Sequence, residues 1–159
     1  MSKMLHKLLV AGAMAGLMGA AAAHAATATN TFQARIQIIA DCQVTSPTDL
    51  DFGSSGLLNA NVDASSTFNV KCTNGVSYSI GLGGSNDSGG VKRMSNGTEY
   101  VSYQTYSDSA RSTTWDNSNT VAAVGTGNDQ SYTVYGRVPP QTTPSVGTYT
   151  DTVTITVTY

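Results

Sequence analysis

The end of the chain alternates without a break. Val153, Ile155 and Val157 fall on one face, and Thr152, Thr154, Thr156 and Thr158 on the other. A period of two marks a half-buried strand and cannot lay an apolar stripe along a helix, whose period is 3.6. The same pattern recurs upstream. Phe68, Val70 and Cys72 share a face, as do Tyr78, Ile80 and Leu82, and Val101, Tyr103 and Thr105. Tyr132 to Val138 reads as a strand stopped by Pro139-Pro140. Phe32, Ala34, Ile36 and Ile38 alternate with Gln33, Arg35 and Gln37, which predicts a half-buried strand over residues 26–39. Asn74-Gly75 and Asn96-Gly97 are hairpin signals, residues 54–65 read as a polar loop, and residues 107–130 have room for one short strand. Charged residues make up 11% of the chain, well below the usual share of about 25%. That suits strands covered by Thr, Ser and Asn better than exposed helices. Short strands separated by turns predict an all-β sandwich or barrel.

Lys3 and Lys7 precede an apolar run from Leu8 to Ala23, closed by Ala23-His24-Ala25. This predicts a bacterial secretory signal peptide over residues 1–25. The run is Ala- and Gly-rich and shorter than the roughly 20 residues a membrane span needs. No later run is long enough, so no membrane span is expected in the mature chain. Cleavage leaves 159 − 25 = 134 residues, without His6 and His24 and hence without histidine. Catalysis through imidazole is excluded, and with it the commonest transition-metal ligand. No catalytic residue, metal site or cofactor is expected, and the chain does not read as an enzyme. Six cations against ten acids leave −4 on the mature chain, so nucleic acid is not an expected partner. Export to an oxidising compartment and an even count predict a Cys42–Cys72 disulfide. Closing a loop of about 31 residues should stabilise the fold by roughly 3–4 kcal/mol.

Other constellations read as structure. Asp49 and Asp51 share one face of a strand and point to water while Leu50 and Phe52 point inward. Asp116-Asn117-Ser118-Asn119 lacks the spacing of a calcium loop and reads as a polar turn. Gly81-Leu82-Gly83-Gly84 has no following Gly-Lys-Ser/Thr and reads as a β-turn rather than a phosphate loop. Asn86 and Asn96 begin glycosylation-like triplets but read as turn residues. Tyr100, Tyr106 and Tyr135, with Trp115, have the makings of a sugar-binding platform. Packing between sheets or subunits is the commoner use of such rings.

The two termini carry a further expectation. The final apolar strand runs out at Tyr159, and an alternating segment begins within a few residues of the mature N-terminus. A sandwich that stops there has an open edge or an exposed groove. Two arrangements satisfy the pattern: the N-terminal segment pairs with its own last strand, or it fills the groove of a neighbour.

The ordered set of motifs resembles the spore coat protein U-like domain, a family that includes subunits of archaic chaperone–usher pili. The residues that carry the resemblance are Cys42-Gln43-Val44, Leu50-Asp51-Phe52-Gly53, Phe68 to Cys72 and Tyr78 to Leu82. Arg93-Met94, Val101 to Asp108, Trp115, Tyr132 to Pro139 and Val146 to Val153 follow, with Tyr159 at the end. The resemblance implies an incomplete immunoglobulin-like β-sandwich lacking its last strand, over residues 40–159. A donor strand from a neighbouring subunit completes it. It further implies that residues 26–39 are that donor segment, with Phe32, Ala34, Ile36 and Ile38 as plugs. Val153, Ile155, Val157 and Tyr159 then edge the acceptor groove. Burying the plugs should contribute roughly 5–9 kcal/mol gross. The implied partners are other copies of the chain in a linear homopolymer, a periplasmic chaperone, an outer-membrane usher, and minor or tip subunits. The implied location is the cell surface, reached through the periplasm, and the implied role is a structural pilus subunit supporting adhesion and biofilm formation. The alternatives are a secreted carbohydrate-binding β-sandwich and a structural coat protein.

Overall fold

The computed structural model describes residues 25–159. The expected signal peptide, apart from Ala25, lies outside the described residues. The chain divides after Ile36. In the first unit, residues 25–36 carry no strand, and Phe32 and Ile36 are 91% and 83% exposed. Residues 37–41 of the second unit carry none either, and Ile38 is also exposed. The half-buried strand expected over 26–39 is therefore absent. A strand exists only where its N–H and C=O groups meet a ladder, and alternation alone supplies no partner.

The second unit, Gln37–Tyr159, holds eight strands. They are β1 (Cys42–Thr45), β2 (Val62–Cys72), β3 (Ser77–Gly84), β4 (Lys92–Ser95), β5 (Tyr100–Tyr106), β6 (Val121–Val124), β7 (Gln130–Val138) and β8 (Val153–Thr158). They form a sandwich of a five-stranded sheet, in the order β1-β2-β7-β5-β4, and a three-stranded sheet, in the order β6-β3-β8. Every pairing is antiparallel.

Three local expectations are corrected. Asn74-Gly75 does not close a hairpin, because β2 and β3 belong to different sheets. Gly75 sits at φ 81° and carries the chain across the sandwich, with its N–H bonded to Gly125 O at 2.9 Å. Turn chemistry fixes a reversal but not which strands pair after it. Gly81 to Gly84 form no turn but the second half of β3, paired with β8 from Gly81↔Thr156 to Gly84↔Val153. The Asn117 side chain lies over Gly81 and Gly83, filling the space a Cβ would take. β2 begins at Val62, inside the stretch read as a loop, because Val62 to Ser65 find partners in Val138 to Tyr135. The Asn96-Gly97 hairpin does form, with Ser95 opposite Tyr100.

The interior has two parts. At one end Phe68, Val70, Cys72, Tyr78, Ile80, Leu82 and Trp115 pack as a buried cluster. Phe68 stacks on Tyr132 at 5.7 Å between ring centroids, and Trp115 approaches both rings. The polar tips are satisfied. Trp115 Nε1 donates to Ile80 O at 2.8 Å, and the Tyr78 and Tyr132 hydroxyls lie 2.7 Å apart. Burial is the main cause that pushes the Tyr132 phenol above its ordinary pKa. At the other end Val101, Tyr103 and Val138 are buried, but Leu50, Phe52, Leu58, Met94 and Tyr149 cover them only in part.

Candidate functional site

That half-covered end is a groove of about 1020 Å³. β8 supplies one wall. It occupies the end of its sheet, pairs with β3 along one side, and has no strand on the other among the described residues. Its inward residues Val153 and Ile155 line the groove and remain partly exposed, while Thr154 and Thr156 face water. The segment from Pro47 to Leu58, which follows β1, supplies the opposite wall. It is seated by Thr48, whose N–H donates to Thr67 O at 2.9 Å, and by Leu50 and Phe52, which lie against the bare backbone of Gly136. A Cβ there would meet Leu50 Cδ2 at 2.7 Å and Phe52 Cζ at 2.9 Å. β1 is likewise the end strand of its sheet and approaches β8. The floor is apolar: Phe68, Leu82, Val101, Val134 and Val138.

The polar groups along the groove already have partners. Tyr103 donates its hydroxyl to Asp151 Oδ2 at 2.8 Å, and burial, reinforced by that carboxylate, raises the phenol's pKa far beyond its ordinary value. Asp151 Oδ1 accepts from Ser85 N at 3.0 Å and from Ser85 Oγ at 2.7 Å. Behind the floor, Lys92 is buried and donates Nζ to Leu82 O at 2.8 Å, with Asp87 at 3.5 Å. Glu99 accepts from Ser145 N and Tyr149 Oη, fixing the loop at the groove mouth, and its carboxyl is held below the usual range chiefly by Ser145. What remains unused is main chain, the free edge of β8, beside an apolar trough. Such a surface takes an extended segment with apolar side chains at every second position.

The residues picked from the sequence distribute unevenly. Cys42 and Cys72 are bonded, at directly opposed positions of β1 and β2, and Cys72 joins the buried cluster. Val153 and Ile155 line the groove, but Val157 packs against the closed cluster and Tyr159 lies beyond the strand, 57% exposed. Phe32, Ala34, Ile36 and Ile38 are exposed. The wall formed by Leu50, Phe52 and Leu58 was not anticipated. Its trace in the sequence is the apolar Leu50 and Phe52 two apart, ahead of Gly53. Asp49 and Asp51 face solvent, and Asp51 caps Gly53 N at 2.8 Å. Asp116 closes its own turn by accepting from Ser118 N and Asn119 N, both at 2.7 Å. Trp115 belongs to no platform, being 1% exposed in the core. Its flanking polar sequence hid it. No group of three or more candidate metal ligands occurs among the described residues, and no helix there is long and apolar enough to cross a membrane.

Comparison with known proteins follows the same lines. A model of the Spore Coat Protein U domain matches residues 28–156. Protein U of Myxococcus xanthus is 32% identical over 168 residues, covering 92% of this chain and 93% of that protein. Among solved structures, the fold is similar to a chain of the CsuC–CsuE chaperone–tip adhesion subunit pre-assembly complex from archaic chaperone–usher Csu pili of Acinetobacter baumannii. There the TM-score is 0.55 at 21% identity, over 77% of this chain and 40% of that one. With the family match spanning most of its length, in a sandwich that leaves β8 open, this chain belongs to the Spore Coat Protein U domain family.

Proposed function

We propose that this protein is a structural subunit of a bacterial surface pilus and polymerises head-to-tail by donor-strand exchange. The observation that carries this reading is the groove itself, an apolar trough beside the unpaired edge of β8. The same chain carries, in Phe32, Ala34, Ile36 and Ile38, exposed residues with the alternation such a trough accepts. A segment that fills a neighbour's groove makes a heterologous contact that does not close, and repetition gives a filament. A periplasmic chaperone would cover the groove before assembly and an outer-membrane usher would oversee the exchange. The fold shared with a chaperone-bound pilus subunit supports the first of these. Adhesion and biofilm formation follow from a filament at the cell surface.

The test uses the period of two. Ile36→Asp puts an ion into an apolar trough and should abolish polymers, while Gln37→Asp changes only the water-facing side and should be tolerated. Polymer ladders on unboiled gels and surface fibres in micrographs are the readouts. Polymers from Ile36→Asp, or equal damage from both changes, would overturn the reading.

A further inference from the structure

The outer face of the five-stranded sheet, remote in role from the groove, has a composition of its own. Tyr106 on β5 lies directly opposite Tyr135 on β7, and Gln104 lies opposite Arg137. One strand further, Arg93 on β4 pairs with Ser102, and its guanidinium sits 4.3 Å from the centre of the Tyr100 ring. These positions all point away from the core, because the residues alternating with them are the buried Val101, Tyr103, Thr105, Val134 and Val138. Tyr100 is 46% exposed. Six residues along β5, at about 3.4 Å each, set Tyr100 and Tyr106 roughly 20 Å apart on one flat strip.

The charge is equally uneven. Residues 25–159 hold six cations, the chain's eight less Lys3 and Lys7, against ten acids, a net of −4. Of those six, Lys71, Arg93 and Arg137 occupy outward positions of this sheet. Arg111 reaches the same face, with its guanidinium 5.8 Å from the centre of the Tyr135 ring. Asp63, bound to Arg137 at 2.7 Å and to Arg111 at 3.3 Å, is the one acid at an outward position of β2, β4, β5 or β7. The face therefore carries +3 and the rest of the described chain −7. An acidic protein that collects its cations around three tyrosine rings on one side is complementary to an anionic ligand with ring faces to stack.

We propose that this face binds an acidic polysaccharide, with sugar rings on Tyr100, Tyr106 and Tyr135 and carboxylates met by Arg93, Arg137 and Lys71. The spacing favours sugar acids over nucleic acid. Two strand spacings of about 4.8 Å and two residues of about 3.4 Å put Arg93 and Arg137 roughly 12 Å apart. That interval suits a charge every sugar or two, not the one charge per about 1.7 Å of duplex DNA. The proposal is independent of polymerisation, since no residue of the groove takes part.

The test is retention of the full exported chain, purified unreduced, on immobilised alginate, with dextran as the uncharged control and a short DNA duplex as the dense polyanion. Alginate should bind in a salt-sensitive manner, and dextran should not. Arg93→Gln with Lys71→Gln should weaken alginate binding roughly fivefold or more, the scale of exposed ionic contacts. Tyr106→Ser should weaken it without changing the salt dependence. Lys71 is exposed, so its single replacement keeps the test valid if Arg93 variants are lost to misfolding. Absence of alginate binding, equal binding to dextran, tighter binding to DNA, or alginate binding indifferent to these changes would each overturn the proposal.

Discussion

The two ends of this sandwich are built from the same alternating strands yet differ in how they are finished. At the closed end, both sheets contribute large rings, every polar tip has a partner, and a disulfide fastens the margin. At the open end, the second sheet stops at β8, and a loop segment with three apolar side chains substitutes for a strand. The contrast shows that one sandwich can be self-sufficient at one end and incomplete at the other. Substitutions should therefore act on stability at the closed end and on assembly at the open end.

The largest effect should come from Trp115→Ala, which removes the ring packed on Phe68 and Tyr132 and leaves Ile80 O without its donor. A loss of about 3–5 kcal/mol is expected for a buried aromatic, read from urea unfolding of the donor-filled subunit. A loss near zero would mean the closed end does not hold the fold. Next, Cys42→Ser with Cys72→Ser should cost about 3 kcal/mol, seen as a lower urea midpoint. The unaltered protein should show no alkylation without reductant.

Two glycines sharpen the comparison. A Cβ on Gly125 would meet the backbone oxygens of Thr73 and Cys72, which cannot move cheaply, whereas one on Gly136 meets only the tips of Leu50 and Phe52. Gly125→Ala should destabilise by about 1–3 kcal/mol. Gly136→Ala should cost less and instead displace the loop wall, slowing polymer formation. Equal thermal losses from the two would erase the distinction.

The smallest effect concerns the surface. The hydrogen bond from Arg137 holds the Asp63 carboxyl below the usual carboxylate range, with Arg111 adding to it. A depressed native pKa gives stability that is full above about pH 4 and fades as pH falls through the native value. Asp63 is over a third exposed, so the contribution should be under about 1 kcal/mol. Asp63→Asn should remove that much at pH 7 and flatten the decline in acid.

Most of the sandwich was readable from period alone, because strands half-buried on one face write their orientation into the sequence. Phe68 to Cys72, Tyr78 to Leu82 and Val153 to Val157 are oriented as their alternation requires. Pairing was not readable where the chain changes sheets. Asn74-Gly75 reverses direction in either case, and the choice of partner lies in distant residues. Trp115 escaped because no neighbour alternates with it: it is held by Thr105 and Ile80 instead of by a strand. Half the groove was foreseen, the β8 wall. The other half is a loop anchored by Gly136, more than 80 residues away, a contact that local pattern does not encode.

The position of the disulfide has a mechanical consequence. Cys42 is the first residue of the first strand, and its partner Cys72 is the last residue of the eleven-residue β2. Tension arriving from the N-terminal side meets the S–S bond before it meets the ladder of β1. The short edge strand is thereby bypassed and cannot be peeled away from that end. The load passes into β2, which is clamped along its length between β1 and β7, so that many hydrogen bonds must shear together where a peeled edge would break them one at a time.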